Sequence, residues 1–311
     1  MLVCARRWPK ASVFSGWPER GPGFTFYECY SFVMNTSPYP HLQKIDDKPV
    51  TIADLKTMKA RGEKIACLTA YDASFAALED RAGVDVVLVG DSLGMVVQGQ
   101  SSTTGVTLDD MVYHSRITAA GLSRAFLMTD LSFLTYATPD MALAAAHRLM
   151  AEGAAHMVKI EGGSELEPTI RHLATYGVPV CAHLGLRPQM VHKLGGFKVQ
   201  GRDEAAAAQM IEDAAALEAA GADMLLLECV PSHLGKTIAE RATVPVIGIG
   251  AGPDTDGQIL VIYDILGLSP GKKPRFVKNF LDGGDSLEAA TTNYVAAVKD
   301  STYPGPEHGF K

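Results

Sequence analysis

The stretch "VDVVLVGDSL" (residues 84–93) begins as a strand with apolar side chains on both faces, then breaks into Gly90, Asp91 and Ser92. Such a strand is one covered on both sides, as in parallel sheets packed between helices. A carboxylate is costly to bury, so its position at the end of this run calls for a reason. Three further runs share the habit. "AFLMTD" ends at Asp130, "HMVKIEGG" passes through Lys159 to Glu161, and "MLLLECV" carries Glu228.

Outward from this stretch, the chain alternates. Candidate strands lie at 64–70, 84–90, 126–131, 156–162, 178–184, 223–229, 244–250 and 258–264, with alanine-rich helical patterns at 74–83, 139–153, 164–177 and 203–221. Gly83, Gly153, Gly177 and Gly221 each close a helix, where left-handed backbone favours glycine. Eight strands with helical crossovers predict an α/β fold, a (β/α)8 TIM barrel forming a single domain. A doubly wound sheet is the alternative, but the first strand runs into "AYDASF" rather than a GxGxxG turn. The barrel is expected over 44–285, followed by a helix (286–299) and a loose tail that together make up 286–311. Residues 1–43 hold both tryptophans, Trp8 and Trp17, and show no regular period. They read as a disordered or spurious extension rather than a secretory signal, with the folded protein starting near Met34.

An apolar fraction of 47% suffices for a large core, and a net charge of −7 argues against nucleic acid or an anionic membrane as partner. The five cysteines show no metal-binding spacing. Cys67, Cys181 and Cys229 fall in strand-like runs as small buried hydrophobes, which suits a reducing, cytoplasmic setting. No stretch approaches the length of a membrane span.

In a barrel of this kind the active site forms at the C-terminal ends of the strands. Asp91, Asp130 and Glu161 end three consecutive strands, so they meet at one rim. Unshielded, they would raise one another's pKa values. A hard divalent cation removes that conflict, and oxygen ligands with water positions left over suit Mg²⁺. Any one such acid also reads as a helix cap or a lysine partner; three on consecutive strands are harder to explain that way. Lys159 shares a face with Glu161 by strand alternation, so it either binds a substrate carboxylate or carbonyl oxygen or forms a structural ion pair. Ser92 offers a hydroxyl and an N–H to a small anion. Glu228, among Leu225–Leu227 and Cys229, is a candidate general base or acid with a raised pKa, the alternative being a pair with Lys236. His183 is a candidate for orienting substrate or shuttling a proton, or else a satisfied structural histidine.

Asp85 and Asp223 lie at strand starts, where stability is the usual role, and Asp109, Asp140 and Asp203 read as helix N-caps. "VIGIGAGP" (246–253) reads as an anion-binding turn or as close packing, and "GMVVQGQSSTTGVT" (94–107) as a mobile lid or an oligomer contact.

Taken together, "LTAYDASFA", "VGDSLGMVVQG", "TTGVTLDDMVYHSRIT", "MTDLSF", "VKIEGG", "PVCAHLGLRPQ", "LLLECVP" and "PVIGIGAGP" closely resemble the 3-methyl-2-oxobutanoate (ketopantoate) hydroxymethyltransferase family from about residue 48 to 282. The resemblance implies a (β/α)8 enzyme of pantothenate biosynthesis that assembles as a homodecamer. It would transfer a one-carbon unit from 5,10-methylenetetrahydrofolate to 3-methyl-2-oxobutanoate, giving 2-dehydropantoate through a Mg-stabilised enolate. It further implies Mg²⁺ at Asp91, Asp130 and Glu161, one ion per subunit. Asp91, Ser92, Asp130 and Lys159 would contact the oxo acid, and Glu228 would transfer a proton, either from C3 or at the folate nitrogen. A related phosphoenolpyruvate mutase/isocitrate lyase barrel is the rival enzyme reading, but its "KKCGH" motif is missing. A non-enzymatic scaffold would leave the rim acids without purpose.

Overall fold

The computed structural model describes Leu42 and residues 47–311, except 270–272 and 283. The extension reading for residues 1–43 therefore lies outside the described residues, Leu42 apart. Eight parallel strands close into a barrel in sequence order: β1 (Ile65–Thr69), β2 (Val86–Val89), β3 (Phe126–Asp130), β4 (Met157–Glu161), β5 (Val180–Gly185), β6 (Met224–Glu228), β7 (Val246–Ile249) and β8 (Gly257–Leu260). The helices, in chain order, are α1 (Ile52–Ala60), α2 (Ala73–Ala82), α3 (Leu93–Val96), α4 (Leu108–Ala119), α5 (Pro139–Ala151), α6 (Glu167–Thr175), α7 (Val191–Leu194), α8 (Glu204–Ala220), α9 (Ser232–Arg241), α10 (Ile262–Ile265) and α11 (Leu287–Lys299). Among the described residues no helix is long and apolar enough to cross a membrane.

Strand alternation divides the core in two. Outward-facing residues such as Val87, Leu127, Val158 and Leu225 join the helices in the larger cluster. Inward-facing Cys67, Leu88, Met128, Met157, Cys181, Met224 and Ile247 fill the barrel. Each buried apolar side chain contributes roughly 1.5–3 kcal/mol, so the barrel has a firm floor. Along β3, β4, β5 and β6 the next inward residues are Asp130, Lys159, His183 and Leu226, and Glu161 and Glu228 follow one step higher. The polar groups thus stand on the apolar floor at the C-terminal rim. The opposite rim is tied by ion pairs: Asp85 to Lys299 at 2.6 Å, and Asp223 to Lys56 at 3.0 Å.

Several expectations are corrected. Gly83, Gly177 and Gly221 do carry positive φ, but after α5 the left-handed residue is Ala154 (φ 58°). Gly153 is needed for closeness instead, since a Cβ there would stand 2.5 Å from the Leu149 carbonyl oxygen. The run 258–264 is strand only to Leu260 and then turns into α10. The caps of α4 and α5 are Thr107 and Thr138, with Asp109 and Asp140 inside the first turn; Asp203 does cap α8. The glycines of "VIGIGAGP" serve close packing, a Cβ on Gly250 meeting Phe276 at 2.7 Å and Phe310 at 2.9 Å. Nor is the tail loose. Tyr303 is buried, and the Phe310 carbonyl accepts from the Ser232 N–H at 3.0 Å. Helix α11 pins the barrel seam, because the Tyr294 hydroxyl donates toward the carbonyls of Cys67 on β1 and Gln258 on β8.

Two adjacent acids on α2 make a useful contrast. Asp80 accepts from the backbone N–H groups of Ser123 and Ala125. Glu79 is fully buried, with no hydrogen-bond partner on either oxygen. Burial, and secondarily the Asp72 carboxylate, push its pKa well above the ordinary glutamate range. Its proton is therefore kept on folding. Stability is unaffected below the unfolded pKa and falls as pH rises from there toward the folded value. Glu79→Gln is expected to melt higher than wild type at pH 8.5, with the gap closing toward pH 4.5. Each pKa unit is worth about 1.4 kcal/mol, and one kcal/mol moves the melting temperature of such a domain by about 2–4 °C. Thermal melts across that range check it; a pH-independent difference would contradict it.

Candidate active site

The strand register assembles the site. Asp130 stands opposite Lys159, Glu161 opposite His183, and Glu228 opposite Gly185. Asp91 enters from the turn after β2, its backbone N–H donating to Asp130 Oδ2 at 2.9 Å. The turn passes through Gly90, where a Cβ would lie 2.8 Å from Ser92 Oγ and 3.5 Å from Asp130 Oδ2. A side chain there would press on the Ser92 hydroxyl. Ser92 Oγ is 2.8 Å from the Tyr71 hydroxyl, and Tyr71 stacks on Tyr263.

Lys159 Nζ lies 3.2 Å from Asp130 Oδ1 and 3.6 Å from Glu161 Oε1. It also lies 3.1 Å from His183 Nδ1. Burial opposes its charge, but the carboxylates of Asp130, Glu161 and Asp91 outweigh burial and raise its pKa. The ammonium is therefore the donor, His183 Nδ1 accepts, and the ring proton sits on Nε2. That nitrogen lies 3.5 Å from Glu228 Oε2. Burial and the Lys159 charge lower the His183 pKa and keep the ring neutral.

The charges do not balance. Asp91, Asp130 and Glu161 are all buried, and the cation set directly among them is Lys159. Burial, then the Asp130 and Glu161 charges, push Asp91 well above the ordinary carboxylate range. Asp130 is raised mainly by burial, with Lys159 pulling the other way. For Glu161, burial is outweighed by the Lys159 charge, with the Gln189 N–H helping, so its pKa is lowered. Asp130 Oδ1 and Glu161 Oε1 are buried and make no well-formed hydrogen bond, the Lys159 ammonium lying 3.2 and 3.6 Å away. Three buried carboxylates around one ammonium supply the oxygen donors and the excess of negative charge that suit a hard divalent cation. Among the described residues no three His, Cys, Asp or Glu side chains close on one point tightly enough to hold an ion unaided. Asp91 and Asp130 adjoin, while Lys159 bridges Asp130 and Glu161.

All of these groups line one cavity of about 850 Å³, within the roughly 300–1,000 Å³ that holds drug-sized ligands. Glu228 stands across it, its side chain 17% exposed. Burial and the Glu161 charge push its pKa up to about 8. It does not pair with Lys236, which reaches Glu240 instead. Cys229, just after it, holds a strained φ of +49° while its N–H donates to the Ile249 carbonyl. The outer end of the cavity is aromatic and basic, with Phe197, Lys198, Lys273, Arg275, Phe276 and Phe310.

Every residue singled out at the rim from sequence thus reaches this cavity. Sequence reading missed Gln189, Tyr136 and Tyr71. Gln189 follows β5 in "LGLRPQM", yet its side chain bonds Asp91 across 98 positions, so no local pattern announces it.

A family model described as ketopantoate hydroxymethyltransferase matches residues 49–306. The chain is 57% identical over 263 residues to the 3-methyl-2-oxobutanoate hydroxymethyltransferase of Alkalilimnicola ehrlichii, covering 85% of this chain and 95% of that one. It is likewise 57% identical over 270 residues to the enzyme of that name from Ralstonia nicotianae, covering 87% and 98%. Among solved structures it resembles a phosphoenolpyruvate phosphomutase from Streptomyces platensis subsp. rosaceus. There the TM-score is 0.53 at 15% identity, with 70% of this chain and 82% of that chain covered. That likeness speaks for the barrel alone.

Proposed function

Because the chain belongs to the ketopantoate hydroxymethyltransferase family, and is therefore a transferase, we propose that it moves a hydroxymethyl group from 5,10-methylenetetrahydrofolate to 3-methyl-2-oxobutanoate, giving 2-dehydropantoate. The observation that carries this reading is the opposition, across one cavity, of a buried acid–lysine cluster and a carboxylate whose pKa is pushed up to about 8.

In this reading Asp91, Asp130 and Glu161 would hold Mg²⁺, directly or through water. When bound, the ion supplies a Lewis acid that stabilises negative charge on the oxo-acid oxygens. The Lys159 ammonium, fixed between Asp130 and Glu161, attracts the substrate carboxylate. Ser92, held by Tyr71, donates a hydrogen bond to it. Glu228 takes the C3 proton, and burial among Leu226, Cys229 and the barrel wall gives it the basicity for that step. His183 points its Nε2–H toward Glu228, 3.5 Å away, without a formed hydrogen bond between them. C3 then bonds to the methylene carbon, both carbon–nitrogen bonds to folate break, water supplies the hydroxyl oxygen, and the C3 proton and one water proton end on the two folate nitrogens. A five-carbon oxo acid leaves much of the 850 Å³ unfilled. The aromatic and basic outer end suits a flat heterocycle with an anionic glutamate tail.

The test is turnover of 3-methyl-2-oxobutanoate with methylenetetrahydrofolate, with and without Mg²⁺. Product is expected only with both substrates and the cation. Undiminished turnover in chelator-treated protein would sink the role given to the acid cluster.

A further inference from the structure

We propose that Gln189 is a positioning residue that presets Asp91 and Glu161 for a divalent cation, an inference that rests on the cation reading above. Gln189 is 3% exposed. Its Nε2 donates to Asp91 Oδ2 at 2.8 Å and to the Leu131 carbonyl at 2.9 Å. Its backbone N–H donates to Glu161 Oε2 at 3.1 Å. Its Oε1 accepts from the Tyr136 hydroxyl at 2.5 Å. The amide can face only one way: two acceptors lie on one side and a hydroxyl donor on the other, so a flipped amide would set oxygen against the Asp91 carboxylate.

One residue on the loop after β5 thus grips acids from the ends of β2 and β4. The physical point is that it does so without charge. Asp91 Oδ2 takes its side-chain hydrogen bond from Gln189, whose amide is itself anchored on the Leu131 carbonyl and the Tyr136 hydroxyl. An arginine or lysine in place of Gln189 would steady it but would also cancel the charge a cation needs. A neutral amide fixes Asp91 Oδ2, and a neutral peptide N–H fixes Glu161 Oε2, leaving Glu161 Oε1 to the Lys159 ammonium at 3.6 Å. Tyr136 holds the amide in register and is itself held near the Glu161 carbonyl at 3.4 Å.

The experiment is titration of the full chain with Mn²⁺ alone, read by calorimetry or by the loss of free-ion EPR signal, without substrates. Gln189→Met keeps length and volume but removes both side-chain N–H donors; Tyr136→Phe leaves the glutamine but frees its amide to turn. Removing an orienting partner of a metal ligand typically costs about 10–100-fold in affinity. That loss is expected for Gln189→Met, a smaller one for Tyr136→Phe, with melting temperatures near wild type. Wild-type affinity in both variants overturns the proposal. If Gln189→Met does not fold, Tyr136→Phe decides by the same criterion. Failure of the wild-type chain itself to bind Mn²⁺ would remove the cation reading, and this inference with it.

Discussion

Glu228→Gln is expected to lower kcat/KM by about 10²–10⁴-fold, the usual contribution of a positioned acid or base, while leaving Mn²⁺ affinity and melting temperature near wild type. The amide is isosteric and keeps an oxygen facing the His183 ring, so the cavity wall stays in place. What disappears is a group able to take a proton. The variant should also stop exchanging the C3 hydrogen of 3-methyl-2-oxobutanoate with deuterated solvent, which NMR follows without any folate present. Retained exchange with lost turnover would move Glu228 from the oxo acid to the folate nitrogen. The pH dependence has a definite sign. As a base Glu228 works when ionised, so kcat/KM rises with pH through its pKa. In the cation-free protein that value is pushed up to about 8; a bound dication counters the Glu161 contribution and draws the limb lower. The limb is expected at or below pH 8, and to be missing from the residual activity of Glu228→Gln.

The larger part of this site is legible in the sequence. Strands covered on both faces must be apolar throughout, so acids at Asp91, Asp130, Glu161 and Glu228 stand out against runs with no other reason to hold them. Period-two alternation sets Lys159 beside Glu161, and the strand ends set the rim. What sequence does not yield depends on closure in space. Gln189 sits in a short turn with no periodicity, and its meaning comes from an acid on the far side of three strands. Glu79 reads as one more charge on an alanine-rich helix, because sequence does not say which helical face the barrel covers. The run after Gln258 reads as strand to its end, although Ile262 leaves the sheet when its N–H turns to the Thr69 hydroxyl. Asp109 and Asp140 read as caps because acids favour helix starts, a preference that the first turn satisfies as well as the cap.

Asp91→Asn should abolish turnover and, in chelator, make the protein more stable. Without a cation the wild-type chain must either keep a third carboxylate charged around a single ammonium or protonate Asp91 at a cost, and a neutral amide removes that cost. The substituted amide can still accept from Gln189, and the backbone N–H at this position still donates to Asp130. Stabilising changes at strained functional sites commonly give about 0.5–2 kcal/mol, or about 2–4 °C in melting temperature per kcal/mol for a domain of this size. The loss of metal affinity should exceed the roughly 100-fold that an orienting partner costs. Saturating Mg²⁺ should reverse the order, because binding stabilises only the chain that still binds. A variant less stable than wild type in chelator would show that Asp91 is held by its neighbours rather than strained against them.

The surplus of negative charge around Lys159 also sets terms for anyone designing a blocker of this mouth. A compound that copies only the oxo acid would be repelled from the metal-free cluster and would depend on the ion to arrive at all. A chelating warhead such as a hydroxamate would depend on a divalent cation being held there, while an amidinium head would pair with the acids themselves and need no metal.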